Sequence, residues 1–271
     1  MQVELRRRLS SGIAYSVNYT WGQDYVGNRY SFRTPRVSVT QTGTDGQVTH
    51  AFKGNWVFEL PFGRGRHFAA NLNPVADRII GGWEFDGVGR IQTGEMLDFG
   101  NVRVIGMTKE EFQKSIDLRF APNGQVYILP QDIVDNTIKA FNTSATDPTG
   151  YASGAVPTGR YLAPQNSVDC IETANGTAAP SATNLNGGYS ACGVNNLVIT
   201  GPRLVTFDLS AVKRITVIGR TNIEFRAEML NAFNRPYFTP RNVIGTTDNS
   251  YRLTGTQNNP RVVQLVFRVN F

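Results

Sequence analysis

The chain has 271 residues, 40% hydrophobic, 11% aromatic and 18% charged, with 27 Gly and 13 Pro. This composition excludes collagen, low-complexity tails and charge-driven disorder, and the length suits one large domain or two small ones. The formal net charge of +6 is spread along the chain, and its one dense cluster, Arg6-Arg7-Arg8, reads as a solvated strand end rather than a phosphate-binding patch.

No apolar run approaches the roughly 20 residues that a membrane helix needs, and mean hydropathy is −0.26. Neither observation bears on a membrane β-barrel, which hides its apolar residues at every second position. The chain shows that period. Val3 and Leu5 alternate with Glu4 and Arg6. Ile13, Tyr15, Val17, Tyr19 and Trp21 alternate with Ala14, Ser16, Asn18 and Thr20. Further along, Phe52, Trp56, Phe58 and Leu60 share one side, followed by Trp83, Phe85 and Ile91 with Gly87 and Gly89. Val205, Phe207, Leu209 and Ala211 form the fifth apolar row, and Ile223, Phe225, Ala227 and Met229 the sixth. Val263, Leu265, Phe267, Val269 and Phe271 form the last. Successive strand side chains point to opposite faces, so each segment has an apolar, aromatic-rich face and a polar one. The expected fold is all-β: about seven antiparallel strands of roughly 8–14 residues, the length of a tilted membrane-spanning strand.

The connections alternate in length. Ser10-Ser11-Gly12 and Val217–Arg220 read as tight turns, and Leu60-Pro61-Phe62-Gly63-Arg64-Gly65 starts a link of moderate length. The segments Gly22–Val48, Gly94–Gly201 and Asn234–Pro260 are long. Outer-membrane barrels pair short periplasmic turns with long extracellular loops. On that pattern the last strand ends in the periplasm, and Met1 starts at the outer surface. An odd strand count, and an N-terminus whose Met1–Arg8 shows no signal-peptide apolar region, lead us to expect upstream strands.

Within the Gly94–Gly201 loop, Thr108 and Glu111 form a capping-box pattern that opens a short helix through about Ser115. Pro130 suits the first position of a second helix through about Phe141, with Ile133, Val134, Ile138 and Phe141 on one side. Ala145–Gly201 is rich in Gly, Pro, Asn, Ser and Thr. Its two cysteines, Cys170 and Cys192, fit either one disulfide in an oxidising compartment or two separate thiols; a bridge would contribute roughly 3 kcal/mol.

Enzyme chemistry finds little support. His50 and His67 sit in no metal or nucleophile motif, and Gly63-Arg64-Gly65 lacks the third glycine of a dinucleotide loop. The acidic pairs Glu84/Asp86 and Glu224/Glu228 alternate with Arg90 and Arg226, so mutual pairing on a barrel wall is expected. No catalytic residue, metal or cofactor is assigned, and no nucleic-acid partner. A nucleic-acid-binding barrel should set its stacking aromatics among Lys and Arg, whereas here they share a face with aliphatics. The structural alternative is a secreted β-sandwich for adhesion or carbohydrate binding, in which two aromatic faces pack together.

Three C-terminal stretches carry a resemblance: Gly201 to Ser210, Glu224 to Asn234, and Asn259 to Phe271. Together with Gly12–Trp21 and His50–Arg64, they resemble TonB-dependent outer-membrane receptors. The nearest resemblance is to the Oar-like group, whose members carry a carboxypeptidase-regulatory-like domain before the plug. The similar stretches cover a third to half of the chain, and their joint order is what is specific. The resemblance implies a barrel of about 22 strands, plugged by an N-terminal domain and energised through TonB for uptake of a scarce or large nutrient. This chain would supply the last strands. The terminal strand also resembles the signal read by the barrel-assembly machinery, through Gln264, Leu265, Phe267, Val269 and Phe271, with Val266 where Gly is usual. The implied partners are outer-membrane lipid, that machinery, the plug and TonB. Loop aromatics Tyr127, Phe141, Tyr151 and Tyr161 are the expected ligand contacts.

Overall fold

Ser11 (φ 54°) and Gly12 (φ 78°) both adopt positive φ, the geometry of the two-residue type I′ turn whose twist matches that of paired strands. They close the first of a run of hairpins in a computed structural model that describes residues 1–26, 41–42, 46–164, 196–217 and 221–270. Cys170, Cys192 and Phe271 lie outside the described residues.

In chain order the elements begin with β1 (Gln2–Ser10), β2 (Ile13–Trp21), β3 (Tyr25–Val26), β4 (Gln41–Thr42) and β5 (His50–Glu59). Next come α1 (Pro74–Ile80), β6 (Trp83–Gln92), β7 (Met96–Ile105), α2 (Lys109–Ser115), β8 (Arg119–Phe120) and β9 (Val126–Tyr127). The chain finishes with α3 (Gln131–Phe141), β10 (Tyr161–Pro164), β11 (Asn196–Thr200), β12 (Leu204–Thr216), β13 (Asn222–Leu230) and β14 (Val262–Asn270).

Seven of these form one sheet in the order β1-β2-β5-β6-β12-β13-β14, every neighbour antiparallel. They are the seven segments singled out by period two. The order follows the chain, as in a barrel built of successive hairpins. The register staggers across the sheet. One row of paired residues runs Arg7, Tyr15, Trp56, Gly87, Leu209, Met229, Val263. It starts near the end of β1 and reaches β14 at its second residue, the offset that tilted barrel strands require. Among the described residues β1 and β14 each have one neighbour, so both edges of the sheet are open.

The same register puts every apolar row on one face. No second sheet covers it among the described residues: Leu5, Phe52, Phe85, Phe225, Leu265 and Phe267 are exposed. A sandwich would have buried them, so that alternative falls.

The buried core lies elsewhere, in the long connections. β7 is the centre of a three-stranded sheet, β10-β7-β11. It carries the β6–β12 pairing outward past a break at Gly94 and Gly201. There the backbones meet so closely that a Cβ on Gly94 would fall on the Gly201 carbonyl. Around β7 pack Leu97, Phe99, Phe112, Ile128, Leu129, Ile133, Val134, Leu162, Leu197 and Ile199, joined by Tyr251 and Leu253 from the β13–β14 connection. The β2–β5 connection joins as well, through Met96 N–H to the Gln47 carbonyl (2.8 Å) and Gly46 N–H to the Met96 carbonyl (2.8 Å). All three long connections therefore meet in one folded cap that holds both helices expected within Gly94–Gly201.

The cap's helices start where local chemistry sets them. Thr108 caps α2 in a full capping box: its hydroxyl accepts from Glu111 N–H (3.1 Å), and the Glu111 carboxylate accepts from Thr108 N–H (2.7 Å). Thr108→Ala is expected to destabilise the cap by about 1 kcal/mol, measurable as faster amide exchange across 108–116. In α3, Pro130 is the N-cap rather than the first helical residue. The buried side of α3 is Ile133, Val134, Thr137 and Ala140, with Ile138 partly buried against the core.

Candidate membrane face, polar wall and cap

The apolar face is graded along the strands. Toward the short-turn end stand Tyr15, Trp56, Phe58, Trp83, Phe85, Phe225 and Phe267. Toward the long-connection end stand Tyr19, Trp21, Phe52 and Phe207. Between them lie small and aliphatic residues, among them Val17, Gly54, Ala211, Ala227 and Leu265. An apolar band flanked by two aromatic girdles is the outer surface of a membrane barrel. Two rings lie across strands onto glycine. The Trp56 ring occupies the space a Cβ on Gly87 would need, and Phe207 comes within 2.6 Å of where a Cβ on Gly89 would sit. His50, one of the two histidines, joins the girdle through a 2.7 Å hydrogen bond between its Nδ1 and the Tyr19 hydroxyl. His67 packs edge-on against Phe68, ring centroids 4.7 Å apart.

Apart from Arg7 and Lys213 toward the short-turn end, the charged strand residues stand on the opposite face. Arg214 on β12 reaches Glu84 on β6 (2.7 Å) and Glu224 on β13 (3.1 Å). Arg226 continues the chain to Glu224 (3.2 Å) and Glu228 (3.2 Å). The planar guanidinium fork of Arg214 suits it to bridge two carboxylates from neighbouring strands. Glu224 and Glu228 are thus partnered by Arg226, as the sequence suggested, and Glu84 takes Arg214. Arg90 donates to Gln92 (2.7 Å) instead, and Asp86 keeps a buried carboxylate oxygen without a hydrogen-bond partner. No group of three or more His, Cys, Asp or Glu placed to hold a metal ion occurs among the described residues.

A family model described as outer membrane beta barrel domain matches residues 1–264. The chain belongs to that family. No curated protein and no solved structure matches it. Membership in the outer-membrane barrel family places the protein in the outer membrane and assigns the two faces: the girdled apolar face meets lipid and the charged face lines the interior. No helix among the described residues is long and apolar enough to cross a membrane; this outer-membrane barrel domain crosses with strands.

The sequence-derived candidates fall in different places. Gln264 sits on the interior face of β14 opposite Glu228, and Leu265, Phe267 and Val269 on its lipid face opposite Ala227, Phe225 and Ile223. Tyr127 and Tyr151 are buried in the cap, 6% and 8% exposed. The Tyr127 hydroxyl donates to Asp248 (2.9 Å), tying the two cap-forming connections together. Those two rings pack the cap and offer little surface to a ligand, a role that sequence cannot tell from binding. Phe141 and Tyr161 are half-buried at its periphery.

Four cap carboxylates are held below their usual range. Arg160 holds Asp132 down through a 2.7 Å hydrogen bond. Thr149 holds Asp147 through its hydroxyl and N–H, and Thr108 holds Glu111 through its N–H and hydroxyl. At Asp248 burial pushes upward, but hydrogen bonds from Arg252, Tyr127 and Gln131 outweigh it. A carboxyl whose pKa is lower folded than unfolded stabilises the fold above the unfolded value, and that contribution disappears as pH falls through the folded value. The cap is therefore expected to loosen as pH drops below the ordinary 4.5 of Glu and 3.8 of Asp. Hydrogen exchange across 96–162 should rise there, while strands β5, β6 and β12 stay protected.

Proposed function

We propose that the chain supplies adjacent C-terminal strands and an extracellular cap to a TonB-dependent receptor of the Oar-like group, which takes up a nutrient too large or too scarce for porins. The observation that carries this reading is the open seven-stranded sheet with a lipid face and a charged interior face. Lipid does not tolerate unpaired sheet edges, so both edges call for further strands, and a barrel of about 22 strands encloses a lumen wide enough for a plug. The charged wall of Arg214, Arg226 and their carboxylates gives such a plug a polar surface to pack on. The cap over the long-connection end provides the folded surface that a receptor presents to its ligand. The terminal strand, with Leu265, Phe267 and Val269 aligned on one face, fits recognition by the barrel-assembly machinery. We assign the chain no catalytic step and no cofactor.

The test is uptake by bacteria carrying the complete gene. Accumulation of a labelled ferric siderophore, a cobalamin, an oligosaccharide and an oligopeptide is compared in wild-type, gene-deleted and TonB-depleted cells. The proposal expects at least one ligand whose accumulation falls in both altered strains. A ligand lost on gene deletion but retained without TonB would make the protein a passive channel.

A further inference from the structure

The link between β5 and β6 lies at the short-turn end, yet it is folded. Asn73 caps α1, its side-chain oxygen accepting from Ala76 N–H (2.8 Å). Asp77, on the inward side of the helix, accepts from Arg64 N–H (2.6 Å). Gly63 and Gly81 then meet so closely that a Cβ on Gly63 would sit 3.0 Å from the Gly81 Cα. The Pro61–Phe68 turn is thereby locked to the end of the helix, with Phe62 and Phe68 rings 5.5 Å apart.

This fixed element turns its apolar residues outward. Val75 and Ile79, one helical turn apart, are 67% and 68% exposed, and Ile80, Phe62 and Phe68 are exposed too. A water-facing link gains nothing from such residues, and an apolar cluster held open needs a covering. The cluster runs straight into the lipid face of the barrel. The Trp83 indole, in the short-turn girdle, donates to the Ile79 carbonyl (3.0 Å). Lys213, on the same face, extends past the Trp83 ring (5.5 Å to its centroid) to the Gly81 carbonyl. Arg64 and Arg78 stand exposed around the link, where cationic heads reach lipid phosphates while their stems stay with apolar surroundings; the nearby Arg66 is paired with Glu59 (3.1 Å).

We infer that the β5–β6 link is a membrane anchor. α1 and the Phe62–Phe68 pair seat in the lipid leaflet at the short-turn end, continuing the lipid face of the barrel beyond the strands, in the manner of an interfacial amphipathic helix. The inference rests on the outer-membrane placement and not on TonB-dependent uptake. The occupant is phospholipid, because the patch is continuous with a face that already meets it and is edged by arginines.

The test uses the complete protein, purified from outer membranes and returned to vesicles of phosphatidylethanolamine and phosphatidylglycerol. Nitroxide labels are attached at Val75→Cys, Ile79→Cys and, for comparison, at Phe225→Cys on the lipid face and Asn71→Cys, all in a Cys170→Ser/Cys192→Ser background. Collision with oxygen, which concentrates in lipid, is compared with collision with a water-soluble nickel chelate. The anchor expects oxygen to dominate at Val75, Ile79 and Phe225 and the chelate at Asn71. Chelate dominance at Val75 and Ile79 with oxygen dominance at Phe225 overturns the anchor and leaves the barrel face intact. Shielding from both reagents at Val75 and Ile79 would mean a protein covers the patch, which also overturns it. Chelate dominance at Phe225 would remove the membrane face itself, and the anchor with it.

Discussion

Ala227→Arg is expected to destabilise the membrane-inserted barrel by about 2–4 kcal/mol. Ala227 pairs directly with Ala211 on β12 and Leu265 on β14, in the aliphatic middle of the lipid face. Phe225, two residues away toward the short-turn end, belongs to the girdle, so a guanidinium at 227 must travel along the strand to reach headgroups. Snorkelling recovers part of the penalty and sets the lower end of the range. Asn18→Arg is the control. Asn18 faces the interior between Glu4 and Lys53, a surface with both signs of charge, and the change there should stay within about 0.5 kcal/mol. Urea unfolding of the complete protein in phospholipid vesicles measures both. Equal effects at the two positions would mean that the faces see the same surroundings, and the lipid assignment would fail.

The strands were legible because lipid on one side and a polar interior on the other impose strict period two on the side chains. Where another demand enters, legibility stops. β12 runs to Thr216, up to the turn read at Val217–Arg220, but its alternation breaks after Ala211, where Val212 stands on the interior face and Lys213 on the lipid face. Lys213 is tolerated there since its stem follows Trp83 and its ammonium finds the Gly81 carbonyl. β7 stayed hidden for a related reason. Leu97 and Phe99 face the core before Gly100, Val102 and Val104 pack against it afterwards, and Gly100 takes φ 74°. That parity flip erases the period. α2 was legible because a capping box is local. The cap as a unit was not, since its core joins residues more than a hundred positions apart, such as Tyr127 and Asp248. The loop aromatics show the same limit from the other side. A ring type in a loop is visible in sequence, but Tyr127 and Tyr151 turn inward and only contacts made at long range decide that.

Phe112→Ala is expected to cost the cap about 3–5 kcal/mol while leaving the sheet in place. Phe112 has no exposed surface and meets Phe99 of β7 edge-to-face, centroids 5.8 Å apart. Truncation leaves a cavity against the central strand of the cap, where the neighbours cannot collapse without breaking the β10-β7-β11 pairing. The consequence should not stop at α2. Tyr251 and Leu253 belong to the same core, Leu253 N–H donates to the Val126 carbonyl (2.8 Å), and Asn242 donates to the Asp98 carbonyl (2.9 Å). Weakening the centre therefore releases the β13–β14 connection as well. Hydrogen exchange in the membrane-inserted protein should rise together across 96–162 and 237–253, with β5, β6, β12 and β13 unchanged. Faster exchange confined to 109–115 would show that the connections fold separately. It would also remove the physical basis for a cap that presents one surface to a ligand.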